Sequence, residues 1–291
     1  MSRYDVPTFI KWVGGKSSLL AQYDSLGLFP QKVDRYIEPF IGGGSVFFFI
    51  KRSYNPKEIY LSDRNRELVI CYEVIQKDPK SLIEQLKVHK ANSSEDYYYR
   101  VRDIDINFTL MSKVEIAARF IYLNKTCFNG LYRVNSKGRN NSPFGNYKNP
   151  SIYDENVIKD ASALLYGANL SIASYEAVRD VAESGDFIYF DPPYYKISST
   201  SSFTDYTDVG FTADDQLRLS MLFKELNKRG CLCMLSNSYC DFILDLYGDF
   251  NVNIISVRRM INSDGKGRNE IREVAITNYE RTCHQASLFE F

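Results

Sequence analysis

Residues 187–194 read Phe187-Ile188-Tyr189-Phe190-Asp191-Pro192-Pro193-Tyr194. Four consecutive apolar residues predict a buried strand, of the kind found inside α/β sheets. Asp191 stands at its carboxyl end. The prolines that follow fix φ, and the first contributes a carbonyl with no competing N–H. Tyr194 adds a ring within reach. Open α/β sheets bind ligands beyond the carboxyl ends of their strands. At such an edge this tetrapeptide offers two hydrogen-bond acceptors and a stacking surface, which suits a planar base with an exocyclic amino group. A plain strand followed by a Pro-Pro turn uses the same residues, so the rest of the chain decides.

Regular alternation surrounds this stretch. A strand is expected at 170–173, a helix at 175–183, then a helix at 213–229 and strands at 231–236, 252–258 and 273–279. Before it, 36–40 and 58–62 read as strands, the second ending at Asp63. Helices are expected at 45–52 (capped by Ser45), 67–76, 79–89 and 112–124. Strands alternating with helices predict an α/β fold with a doubly wound, largely parallel sheet. Residues 125–150 carry Gly, Asn, Pro and Ser with little periodicity, over a length too great for an ordinary connection. They are assigned to an inserted domain, residues 76–160, between two parts of one sheet domain, 1–75 and 161–291.

The chain has 291 residues, 44% apolar, enough for a real core. Lys and Arg number 36, and so do Asp and Glu, so any basic footprint must be local. Residues 1–11 contain no run of signal-peptide length, and the apolar run 46–50 is too short to span a bilayer. A cytoplasmic location, away from membranes, is expected. The six cysteines, Cys71, Cys127, Cys231, Cys233, Cys240 and Cys283, form no CxxC pair. Cys231 and Cys233 are read as pointing to opposite faces of a strand. With only His89 and His284 besides, neither a metal site nor a histidine-dependent triad is expected. A nicotinamide dehydrogenase would want GxGxxG, which is missing.

Glu38-Pro39-Phe40-Ile41-Gly42-Gly43-Gly44-Ser45 reads as strand, glycine turn and helix start. Glycines let backbone pass beneath a ligand, and the helix N-terminus aims free N–H groups at it. Asp63 follows about 20 residues later, where an acidic side chain binds ribose hydroxyls. An adenosine-type cofactor is implied. Near the start, Phe9-Ile10-Lys11-Trp12-Val13-Gly14-Gly15-Lys16 sets the sole tryptophan among lysines, before glycines that let the chain fold over a ligand.

Together these segments resemble the Dam-type DNA adenine-N6 methyltransferases, a family with restriction-associated members and with members that methylate GATC. The resemblance runs from about residue 8 to 279. FIKWVGGK resembles the family's N-terminal cofactor motif, EPFIGGGSVF its glycine motif, SDRN its ribose-binding motif and DPPY its catalytic motif. Their order is that of the α class. Residues 122–133, with Phe128-Asn129-Gly130-Leu131-Tyr132-Arg133, and 143–148, with Pro143-Phe144-Gly145, resemble the target-recognition segment; 257–262 and 273–279 resemble the C-terminal motifs. One departure is Arg139-Asn140-Asn141-Ser142, where relatives often carry Phe-Asn-Val.

The resemblance implies a Rossmann-like S-adenosylmethionine-dependent methyltransferase sheet with an inserted, mainly helical and loop, target-recognition domain. It implies S-adenosyl-L-methionine held by Trp12, Lys16, Glu38, Phe40, Gly42, Gly43, Gly44, Asp63 and Asp191. Asp191, Pro192 and Tyr194 would act on a flipped-out adenine. Double-stranded DNA is the implied partner of a monomer or, alternatively, a dimer. The insertion suits a DNA reader. From 116 to 153 there is no Asp or Glu, while Arg119, Lys125, Arg133, Lys137, Arg139 and Lys148 are positive. The expected DNA contacts are Lys11, Asn129, Leu131, Tyr132, Arg133, Asn135, Lys137, Arg139 and Lys148. Arg133 can take guanine O6 and N7 together, and Leu131, Tyr132 and Phe144 can wedge an opened step. The alternatives are an RNA adenine-N6 or DNA cytosine-N4 methyltransferase, or a non-catalytic DNA-binding relative. Ser at 191 would have favoured cytosine.

Overall fold

A computed structural model describes residues 2–104, 110–135, 139–195, 211–257 and 271–282. Lys137, the segment 258–262, Cys283 and His284 lie outside these residues.

The strands are β1 (Arg35–Glu38), β2 (Glu58–Asp63), β3 (Asn169–Ile172), β4 (Phe187–Phe190), β5 (Leu232–Ser238), β6 (Asn251–Val257) and β7 (Ile271–Thr277). They form one seven-stranded sheet in the order β3-β2-β1-β4-β5-β7-β6. The first five are mutually parallel, whereas β7 runs antiparallel to both neighbours. The chain builds outward from β1 through β2 and β3, then returns to the other side of β1 with β4. That reversal is the switch point at which doubly wound sheets open a crevice. Because β7 is antiparallel, its start lies beside the end of β5, with Glu273 opposite Ser238.

β4 is buried on both faces, which explains its unbroken apolar run. Phe187 and Tyr189 face one core cluster; Ile188 and Phe190 face the other. Cys231 and Cys233 both join that second cluster with Leu235, while Met234 faces the first. The opposite-face expectation for the two cysteines is therefore corrected. Residues two apart on a strand share a face.

The helices are α1 (Leu20–Ser25), α2 (Ser45–Tyr54), α3 (Arg66–Lys77), α4 (Pro79–Asn92), α5 (Glu95–Asp103), α6 (Lys113–Thr126), α7 (Glu155–Leu165), α8 (Val178–Val181), α9 (Ala213–Arg229) and α10 (Asp241–Tyr247). Their ends follow capping chemistry. Ser112 with Glu115 and Thr212 with Asp215 form capping boxes on α6 and α9. Asn65 caps α3 by accepting the Leu68 N–H. Ser45 does not cap α2 as expected; it is the first helical residue. The cap is Gly44, at φ 69°, a left-handed conformation that glycine adopts without strain.

The helices of the insertion pack against those of the sheet domain. Leu82, Leu86, Tyr98 and Phe120 of α4, α5 and α6 share one core cluster with Phe48 and Tyr72 of α2 and α3. The stretch after α6, expected to be irregular, makes a short 3-10 turn (Phe128–Gly130) and bridges Cys127 to Phe144 and Val134 to Asn140. Among the described residues no helix is long and apolar enough to cross a membrane.

Candidate active site

Three carboxylates meet at one sheet edge. Glu38 ends β1, Asp63 ends β2, and Asp191 follows β4, and these strands are neighbours. The loop after β4 is held from two sides. The Gln216 side chain, from α9, donates to the Pro193 carbonyl at 2.9 Å. Asn237, at the end of β5, accepts the Tyr195 N–H at 3.1 Å and donates to Gln216 at 3.0 Å. Ser238 donates its hydroxyl to the Tyr195 carbonyl at 2.8 Å. Gln216 and Asn237 are fully buried, so these bonds fix the loop in a low-dielectric setting. Among the described residues no donor takes the Pro192 carbonyl. Tyr194 donates its hydroxyl to Glu273 at 2.8 Å.

Asp191 pairs with Lys16, whose ammonium lies 2.7 Å from Oδ2 and 4.9 Å from the centre of the Tyr194 ring. Lys16 is only 4% exposed, and its ammonium also donates to the Gly14 carbonyl. The Asp191 side chain keeps 20% of its surface open, enough for a substrate to reach it. Burial pushes the Asp191 carboxyl up, Lys16 pulls it back, and Glu273 adds to the upward push. A carboxyl raised this way takes up a proton earlier as pH falls, losing its charge and its acceptor role. The acid limb of the reaction should therefore lie above the ordinary aspartate value of about 3.9. Lys16→Met removes the opposing charge and should move that limb to still higher pH. Single-turnover rates across pH measure this. An unmoved limb would assign it to another group.

On the β1–β2 side, Asp63 Oδ2 accepts the Gly42 N–H at 3.2 Å and Oδ1 accepts the Asn65 N–H at 2.9 Å. A carboxylate has about four lone-pair sites, and with the Arg64 backbone N–H also directed at it, acceptor capacity still remains for a diol hydroxyl. Burial raises the Asp63 carboxyl, and these backbone bonds counter it. The Trp12 indole lies across the glycine turn; a Cβ on Gly42 would sit 2.5 Å from its Nε1. Phe40 stacks on Tyr175 at 5.3 Å and meets Phe211 edge-on at 5.9 Å, making an aromatic wall. Glu38 is turned inward, accepting the Tyr36 hydroxyl at 2.7 Å. Its burial holds the carboxyl well above the usual range. Diol acceptors, an aromatic wall and a glycine turn before a helix N-terminus fit an adenosyl group chemically.

On the insertion side, Lys11 runs against the 3-10 turn, with its ammonium 4.5 Å over the Tyr147 ring. The Asn124 side chain takes both backbone groups of Lys11, each at 2.7 Å. Burial and the neighbouring Lys11 bring Lys125 down to about 8. Arg133, Arg139, Lys148 and Asn129 are exposed, Leu131 and Asn135 partly so. Asn129 takes a left-handed conformation at φ 55°.

Three expectations about this surface need correcting. Arg119 adds nothing to the basic footprint: it is 1% exposed and bound to Glu67 and the carbonyls of Val101 and Arg102. Tyr132 does not face out as a wedge; its ring packs on Phe120 and its hydroxyl donates to Glu67 at 2.8 Å. Phe144 packs on Tyr98 at 5.3 Å. Phe128, at 53%, is more exposed than the Tyr147 ring on this surface. Phe128, Asn124, Gln216, Asn237 and Glu273 were not legible as site residues. Phe128, Asn124 and Glu273 do lie within segments that resemble family motifs, and Phe128 stands next to the Asn-Gly of its turn.

A profile of the D12 class N6 adenine-specific DNA methyltransferases matches residues 12–262. A Type II methyltransferase of Methanocaldococcus jannaschii is 42% identical over 94% of this chain and 100% of its own. A Type II methyltransferase of Lactococcus lactis subsp. cremoris is also 42% identical, over 96% of this chain and 97% of its own. The DNA adenine methylase of Escherichia coli is 30% identical over 91% of this chain and 93% of its own.

Proposed function

This chain belongs to the D12 class of N6 adenine-specific DNA methyltransferases, and from that membership we propose that it methylates adenine N6 in duplex DNA at GATC, with S-adenosylmethionine as donor. One observation carries the reading of the site. The open face of Asp191 and the unclaimed carbonyl of Pro192 stand together on a loop held by Gln216, Asn237 and Ser238.

Adenine N6 is a poor nucleophile because its lone pair is delocalised into the ring. Asp191 accepts one N6–H and the Pro192 carbonyl accepts the other, which localises the lone pair on nitrogen. Tyr194 stacks on the base, which must leave the duplex to reach this depth. S-adenosylmethionine, when bound, supplies a methyl group on positively charged sulfur. Asp63 would hold the ribose diol, Phe40 and Trp12 would flank the adenosyl group, and the turn at Gly42, Gly43 and Gly44 would lie beneath it. Asp191 would add negative charge near the amino end, and the inward Glu38 would line that side of the pocket. Lys16 keeps Asp191 ionised and directed. Positioning and fixed electrostatics account for the rate; Asp191 need not be a strong base.

Residues 76–160 form the target reader on the catalytic domain, 1–75 and 161–291. Lys11, Lys125, Arg139 and Lys148 meet phosphates or base edges, joined by Asn129, Asn135, Leu131 and Lys137. Arg133 reads a guanine. Phe128 takes the wedge role. Incubating unmethylated plasmid with the protein and S-adenosylmethionine, then mapping every modified adenine by sequencing, tests this. N6-methyladenine confined to GATC is expected. Modification elsewhere, or on cytosine, would overturn the target assignment.

A further inference from the structure

The Glu67–Arg119–Tyr132 network has no part in the chemistry above, yet it is buried, charged and complete. Glu67 is 5% exposed and Arg119 1%. Arg119 spends Nη1 on Glu67 at 3.0 Å, Nε on the Val101 carbonyl at 3.0 Å and Nη2 on the Arg102 carbonyl at 2.9 Å. The other Glu67 oxygen accepts the Tyr132 hydroxyl at 2.8 Å. A buried ion pair in which each nitrogen and each carboxylate oxygen has a partner is costly to disturb, so it makes an anchor. Glu67 lies in the first turn of α3, a helix that starts just after Asp63. The anchor is thereby tied to the sheet edge.

Tyr132 stands between Leu131 and Arg133, just before the Val134–Asn140 bridge. That segment is cross-linked by the Arg133 N–H to the Ser142 hydroxyl at 2.9 Å and by the Asn141 N–H to the Arg133 carbonyl at 3.0 Å. Tyr132 and Arg133 are consecutive, the Arg133 N–H and carbonyl are both held, and the chain turns tightly at Leu131, where the Tyr132 N–H donates to the Gly130 carbonyl at 3.1 Å. Fixing the Tyr132 side chain inward therefore fixes the backbone from which the exposed Arg133 projects. We propose that Tyr132, anchored through its hydroxyl on the Glu67–Arg119 pair, is a positioning residue that sets the direction in which Arg133 meets its guanine.

The proposal rests on Arg133 as the guanine reader. Tyr132→Phe keeps the ring against Phe120 and removes only the hydroxyl. Steady-state kcat/KM is measured on duplex oligonucleotides carrying the best-methylated site and its single-base-pair variants. The proteins are wild type, Tyr132→Phe, Arg133→Ala and the double variant. At the base pair read by Arg133, Tyr132→Phe should lower discrimination about tenfold, because the cognate rate falls while variant rates hardly move. In the Arg133→Ala background, Tyr132→Phe should change the ratio no further. A wild-type ratio in Tyr132→Phe, with discrimination lost in Arg133→Ala, overturns the positioning role alone. Full discrimination in Arg133→Ala overturns the guanine reading and the positioning role with it. If Tyr132→Phe lowers Tm sharply, Glu67→Asp, which keeps charge beside Arg119 but withdraws the acceptor, must give the same loss.

Discussion

Asp191→Ala and Asp191→Asn should each lower methyl transfer by about 100- to 1000-fold, the scale of removing one preorganised hydrogen-bonding group from an active site. Alanine removes an acceptor for N6–H. Asparagine keeps the shape but not the charge, so its amide either turns a donor toward the substrate or faces Lys16 without neutralising it. Both leave a 4% exposed ammonium without its carboxylate. Transfer of labelled methyl in a single turnover is the measurement, with DNA affinity read alongside. Affinity should stay within a few fold, because Asp191 lies at the sheet edge rather than on the segment that bears Arg133. Near-normal turnover in Asp191→Ala would remove Asp191 from the mechanism.

Arg133→Ala should cost about 1–3 kcal/mol of discrimination at one guanine-containing base pair, or about 5- to 150-fold in relative rate. The guanidinium presents donors in a fixed fork that matches guanine O6 and N7 together. Its backbone is held by Ser142 and Asn141, so the fork is offered from a rigid arm. The adenine itself should still be methylated, more slowly. Rates across single-base variants of the site, wild type beside variant, decide the matter. A uniform slowing at every site would mean that Arg133 meets phosphate and reads no base.

Local order was readable where one segment carries its own instructions. The doubly apolar run of β4, the capping box and terminal glycine of α9, and the acidic end of β2 need no distant partner. Hence α9 spans the expected 213–229. The short helices α1 and α10 escaped notice because a six- or seven-residue helix is unstable alone and forms by packing. The polar α5 and the α7 segment lie outside the expected helices and outside the irregular stretch 125–150, although Ser94 and Asp154 cap them.

By itself the sequence determined which residues stand at strand ends: Glu38, Asp63 and Asp191, with Trp12 and the glycine turn in the same motif order. It also determined that Arg133 follows a forced turn in a segment without acidic residues. Only the tertiary structure decided who their neighbours are. The antiparallel entry of β7 between β5 and β6 brings Glu273 to Tyr194. The closing of residue 16 onto residue 191 makes Lys16 the partner of Asp191. The burial of Arg119 and the inward turn of Tyr132 follow from Glu67, some fifty to sixty-five residues earlier in the chain. The physical reason is the range of the forces. Caps, turns and apolar runs act over a few residues and are written locally. Ion pairs, sheet order and burial arise between segments that meet only when the chain folds.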